Sequence, residues 1–97
     1  MDTLSLSPAE LCEAVGRRAK ERRLGMGLRQ ADVAERAGVT LRTIRRLEAG
    51  GGTLEVAARV AFALGAEREF LGLFPPQDAR TLDDVLASDR RRLRARR

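Results

Sequence analysis

Apolar residues recur along this chain at three- and four-residue steps and nowhere alternate at the two-residue step of a half-buried strand, so the pattern predicts an all-α protein. Ser7-Pro8-Ala9-Glu10 marks the first helix start, with Ser at the N-cap, Pro at the first helical position and Glu at N3, a capping box. Leu11, Val15 and Ala19 follow at four-residue steps, joined by Cys12 and Gly16, and form the apolar stripe of that helix. Glu13, Arg17, Lys20 and Glu21 lie largely off it. The pattern runs to about Leu24, where Gly25 and Gly27 stop it.

A second helix is predicted from Gln30 to Ala37, with Val33, Ala34 and Ala37 inward. Gly38 follows, where a left-handed backbone costs least. Thr40 caps a third helix from Leu41 to Ala49, which Gly50-Gly51-Gly52 ends. Thr53 caps a fourth from Leu54 to Leu64, with Val56, Ala57, Val60, Ala61 and Leu64 inward, and Gly65 closes it. A short fifth helix, about Glu67 to Leu73, presents Phe70, Leu71 and Phe74.

Pro75-Pro76 breaks the pattern and divides the chain into a domain over residues 7–74 and a Pro-led, Arg-rich tail over residues 75–97. Thr81-Leu82-Asp83-Asp84 is one more helix start, and Leu82, Val85, Leu86 and Leu93 form one thin stripe beyond it. That stripe is too small to fold alone, so the tail is expected to be disordered, or helical only against a partner.

Charge sharpens this outline. Residues 1–15 carry −3, residues 16–50 carry +6, residues 51–89 carry −4 and residues 90–97 carry +6, for a net +5 over 97 residues. Two basic blocks separated by an acidic one point to a polyanion partner for part of the molecule. Cys12 is the single cysteine, so no intramolecular disulfide forms and a zinc site is implausible. It is expected to be a core or interface hydrophobe. No metal or cofactor is expected. No apolar run approaches the length of a membrane span, and the first residues lack the basic and apolar regions of a secretory signal, so a cytoplasmic protein is expected.

The basic block contains the most informative stretch, Gln30 to Gly50, two short amphipathic segments about Ala37-Gly38-Val39. With Ile44 set at 0°, Leu47 falls at roughly 300°, Glu48 at roughly 40° and Thr40 at roughly 320°, forming the inner face with Leu41 at its edge. Arg42 and Arg46 fall at roughly 160° and 200°, pointing outward, with the small Ala49 between them and Arg45 and Thr43 on the flanks. A small helix, a glycine turn and an arginine-bearing helix suit the major groove of duplex DNA. An arginine fork matches guanine O6 and N7, and Leu41 lies where it can touch a thymine methyl. The expected base contacts are therefore Leu41, Arg42 and Arg46. Gln30 opens the second helix, where free N–H groups and the dipole hold a phosphate. Arg29 beside it adds charge, and Thr43 and Arg45 are further expected phosphate contacts.

This segment resembles the Xre/Cro/phage-repressor type of helix-turn-helix protein, over about Val15 to Leu73. Gln30 stands where the family has its glutamine at the start of helix two, Ala34 at the helix crossing, Gly38 and Val39 in the turn, and Ile44 and Leu47 on the inner side of the recognition helix. Glu48-Ala49-Gly50 matches a frequent ending of that helix. The resemblance implies a structural ion pair between Arg23 and Glu48, a five-helix repressor-like domain, and a homodimer on an inverted repeat of double-stranded DNA. One position departs: the family places Ser or Thr before the glutamine as N-cap, and here Arg29 stands there, at an expected loss of about 1 kcal/mol of capping. The layout of the tail, an FPP break, a Leu/Asp stretch and an Arg-rich end, also resembles antitoxins paired with Hip-type kinase toxins, which implies a toxin protein as a second partner.

Other features read more plainly. Phe62, Phe70 and Phe74 are expected as core or dimer contacts, with helix five around Phe70 and Phe74 as the dimer surface. Gly25-Met26-Gly27 follows a helix and lacks a third glycine, so it is a turn and not a nucleotide loop. Arg90 to Arg97 reads either as a solvated tail or as a contact to the DNA backbone or a partner. The chain has no histidine and no tyrosine, and no nucleophile–base constellation, so an enzyme is not expected.

Overall fold

The computed structural model describes residues 5–77 and 82–95. Among these the chain is helical and without strands: α1 (Pro8–Gly25), α2 (Gln30–Ala37), α3 (Leu41–Glu48), α4 (Leu54–Ala63), α5 (Glu67–Leu71) and α6 (Leu82–Ala95). They belong to two compact units, Met1–Ala66 with the first four helices and Glu67–Arg97 with the last two.

Local chemistry sets each boundary in the first unit. Ser7 Oγ accepts from the Glu10 N–H at 3.1 Å, and Glu10 Oε1 accepts from the Ser7 N–H at 2.8 Å, completing the capping box of α1. Thr40 and Thr53 cap α3 and α4 through their hydroxyls, each accepting a backbone N–H at 3.1 Å. Gly38 ends α2 in the left-handed region at φ +71°.

α2 packs on both α3 and α4, α3 packs on α4, and α1 packs on α3. The core is Val33, Ala34 and Ala37 from α2, Ile44 and Leu47 from α3, and Val60, Ala63 and Leu64 from α4 and its end. Ala19, Leu28, Val39, Val56 and Ala57 pack against it. Val33 and Ile44 are fully enclosed, each worth about 1.5–3 kcal/mol of apolar burial. On α4, Ala63 is buried and Ala61 only half-buried, so the inner face is turned slightly from the expected one.

α1 departs more. Its Leu11–Val15 stripe is exposed, with Val15 at 54% of its free area, and the Cys12 thiol is exposed as well. Gly16, Ala19 and Arg23 carry the inward face instead. The reason is close backbone approach. A Cβ at Gly16 would lie 2.5 Å from the Leu47 carbonyl oxygen and 2.7 Å from that of Glu48. Only a residue without a side chain fits, and that contact, not apolar area, decides which face of α1 turns in. The core reading of Cys12 falls with it.

The core reading of Phe62 and Phe74 also fails: they are 65% and 92% exposed, whereas Phe70 is half-buried. In the second unit α5 is a short helix that gives way at Gly72. The tail, expected to be disordered or helical only against a partner, is helical over Leu82–Ala95 in the single chain. Asp83 and Asp84 lie in its first turn and Arg92 and Arg94 in its last, as the helix dipole favours. Arg68 of α5 pairs with Asp83 of α6 at 2.6 Å. Thr81 of the expected helix start, and Arg96 and Arg97 of the basic end, lie outside the described residues.

Candidate nucleic-acid interface

α2, the Gly38 turn and α3 form the geometry on which the site depends. The turn is closed by the Val39 N–H to the Ala34 carbonyl at 3.0 Å. Arg59 of α4 donates from Nη1 to the Ala37 carbonyl at 3.3 Å and so satisfies one free acceptor at the end of α2. That capping role is hidden in the sequence, because Arg59 sits 22 positions beyond Ala37.

α3 then divides cleanly. Ile44 and Leu47 are buried, while Arg42, Arg45 and Arg46 are exposed. Leu41 and Thr43 are half-buried at the helix start, and the Thr43 hydroxyl is hydrogen-bonded to that of Thr40 at 2.8 Å. Three guanidinium groups thus share the solvent side of one eight-residue helix whose opposite side is locked into the core.

The other end of α3 is fixed by a charged network. Arg23 Nε donates to Glu48 Oε2 at 2.7 Å and Arg23 Nη2 to Glu48 Oε1 at 3.2 Å, a two-pronged pair with both side chains only 8% exposed. Arg23 Nη1 also donates to the Leu28 carbonyl at 3.0 Å. Gln30 joins by donating its amide to Glu48 Oε1 at 2.9 Å. One Gln30 donor is therefore spent inside the protein, a partner that sequence spacing gave no sign of.

Arg29 faces a different neighbour. Its guanidinium donates to both Asp32 oxygens, at 3.1 and 3.3 Å, and its backbone N–H donates to Asp32 Oδ2 at 2.8 Å. Arg29 has no acceptor with which to cap α2, but Asp32 supplies the reverse half of a capping box. Hydrogen bonding from Arg29 holds the Asp32 carboxyl below its ordinary range, and the same bond holds the Arg29 guanidinium above its own.

A two-helix unit with a glycine turn and an outward cationic second helix is the architecture of a DNA-reading module. Residues 20–71, more than half of the chain, match the family described as helix-turn-helix, of the Xre/Cro/phage-repressor type, and the chain belongs to that family. It is a DNA-binding transcription regulator. No curated protein matches the chain. Among the described residues no cluster of three or more metal-ligating side chains occurs, and no helix is long and apolar enough to cross a membrane.

Proposed function

We propose that the protein is a sequence-specific repressor that binds an inverted repeat of duplex DNA as a homodimer, with α3 in the major groove. One observation carries this reading: on a single short helix Ile44 and Leu47 are buried while Arg42, Arg45 and Arg46 are exposed. Arg42 and Arg46 read guanines and Leu41 touches a thymine methyl. Arg45, Thr43, Arg29 and Gln30 hold phosphates. Each guanidinium–guanine pair is worth roughly 1–3 kcal/mol, so two arginines give roughly 2–6 per subunit and roughly 4–12 per dimer. Specific sites are bound about 4–10 kcal/mol more tightly than random duplex, a gap that the dimer spans more comfortably than a monomer. Repression needs nothing beyond occupancy of such a site, and DNA binding implies a cytoplasmic, nucleoid-associated location.

Selection of bound sites from a random duplex pool tests the reading. The expected product is an inverted repeat with guanines in each half-site. Arg42→Ala and Arg46→Ala each lower discrimination at one base pair per half-site. Recovery of sequences without symmetry or preference overturns it.

A second reading concerns the unit Glu67–Arg97, where Leu71, Leu73, Phe74 and Leu93 are exposed. Apolar side chains in water favour a protein contact. We infer that this unit carries the homodimer contact around Phe70 and Phe74, and that its tail is the part that would hold a kinase-type toxin if the chain is an antitoxin. Cutting the chain at about Pro76 separates the two roles. In an antitoxin, truncation loses a co-expressed toxin while DNA binding mostly survives. In a simple repressor, the intact chain retains no such partner in a pull-down.

A further inference from the structure

We propose that Gly51 is a positioning residue for Arg46: the missing side chain at 51 is the seat from which the Arg46 guanidinium addresses its base pair. This deepens the proposed function and rests on Arg46 being a base contact.

After α3 the chain wraps back on itself. The Gly50 N–H donates to the Leu47 carbonyl at 2.9 Å and the Gly51 N–H donates to the Arg46 carbonyl at 2.8 Å, the paired bonds of a Schellman end. Gly50 and Gly52 have φ of +101° and +102°, so their backbones call for glycine. Gly51 is not in that region, so its φ does not call for glycine. What glycine supplies at 51 is space. A Cβ there would lie 2.9 Å from Arg46 Cγ and 3.1 Å from Arg46 Nε. The Arg46 stem therefore lies across the loop, in a groove that any side chain at 51 would fill.

An unrestrained arginine has four rotatable bonds to fix on binding, and that ordering opposes association. A stem already laid on a rigid loop has given up part of that freedom before DNA arrives. Its Nε lies 3.1 Å from where a Cβ at 51 would stand, so the loop limits the directions from which the guanidinium can meet a base edge. Arg42, one turn earlier, has no such seat in the loop.

The test uses the full chain and an operator drawn from the random pool, with base preference measured at every position alongside affinity for random duplex. Gly51→Ala is expected to lower preference on the order of ten-fold at the base pair that Arg46→Ala affects, a guanine contact of this kind setting the scale. Preference at the Arg42 base pair and random-duplex affinity stay as in the parent. The double variant Gly51→Ala/Arg46→Ala matches Arg46→Ala alone. Full preference in Gly51→Ala, loss of specific and random binding in step, or additivity in the double variant each overturns the inference while leaving Arg46 as reader. If Arg46→Ala itself changes no base preference, the reading beneath it fails and takes the inference with it. Relaxation of the Arg46 and Arg42 Nε–H groups in the free parent protein needs no variant: Arg46 is expected to be the more ordered, and equal mobility overturns the seat.

Discussion

The side-chain amide of Gln30, the first residue of α2, donates to Glu48, the last residue of α3, at 2.9 Å. The same Glu48 oxygen takes Arg23 Nη2 at 3.2 Å and its other oxygen takes Arg23 Nε at 2.7 Å. One carboxylate therefore ties the start of α2 and the end of α1 to the end of α3. Replacing Gln30 by Ala is expected to cost about 1 kcal/mol of stability through the lost bond. It is also expected to weaken binding to every duplex alike, because the start of α2 is a proposed phosphate site. Urea unfolding and duplex titration check both halves. A Gln30→Ala protein with altered base preference would contradict the phosphate role.

Removing Arg23 is expected to be far more damaging. Glu48 would be left as a carboxylate only 8% exposed, its remaining donor a neutral amide. Leaving a buried charge unpaired costs about 3–5 kcal/mol, a large share of a small domain's stability. Arg23→Ala should unfold at much lower urea, and Arg23→Met combined with Glu48→Leu should recover part of the loss. Equal stability of Arg23→Ala and the parent would show that the pair contributes little.

Much of this fold could be read from the sequence, and the limits have physical causes. Caps and glycines act within three or four residues, so Ser7, Thr40, Thr53 and Gly38 announce their elements correctly. The burial of Val33, Ala34, Ile44 and Leu47 follows from periodicity on short helices with little choice of face. α1 has two usable faces, and the choice is made by the approach of its backbone to α3 at Gly16, which a hydrophobicity pattern does not weigh. A glycine in the middle of a helix is the one signal that would have revealed it, since glycine there is costly unless space demands it. The site shows the same division. The outward set of arginines on α3 is a matter of angles along one helix. The Gln30–Glu48 bond, the Arg59 cap and the Gly51 seat join residues through tertiary packing, and no spacing rule contains them.

That Gly16 contact gives a direct test. Gly16→Ala would put a methyl against the carbonyl oxygens of both Leu47 and Glu48, backbone atoms that cannot rotate away. α1 must then move off α3, at an expected cost of about 1–3 kcal/mol, typical of overpacking. Because α3 is the proposed reading helix, specific affinity should fall along with the urea midpoint. Improved stability, as alanine in a free helix would give, would mean that the two backbones are not in close contact.

Acid should act through Asp32. Its carboxyl titrates below its ordinary value of 3.8, first because the Arg29 side chain donates to it and next because the Arg29 backbone N–H does. A folded pKa below the unfolded one contributes stability that is fully present above the unfolded value and lost as pH falls through the folded one. Asp32→Asn should therefore be less stable than the parent at neutral pH, and the difference should shrink as pH drops below 3.8. Thermal unfolding of both proteins across that range measures it. Arg29 stays charged throughout, so it adds no pH dependence of its own. A difference that grew with acid would reverse the assignment.

Two of the four proposed phosphate contacts, Arg29 and Arg45, are cations that differ in how free their charge is, and salt should reveal it. Arg45 is exposed on α3, whereas the Arg29 guanidinium is already engaged by Asp32 at 3.1 Å. A cation that neutralises one phosphate releases counterions, and losing it lowers the slope of log affinity against log salt by about 1 per contact. Arg45→Ala should show that full drop, once per subunit, with base preference unchanged. Arg29→Ala should show less, because part of its charge is offset by Asp32 before DNA is met. Asp32→Asn should move the other way, raising random-duplex affinity at low salt by freeing Arg29. Titrations of one operator and one random duplex over a salt series distinguish these outcomes. A salt slope unchanged in both arginine variants would remove them from the backbone contact and leave binding to the other basic side chains of the block.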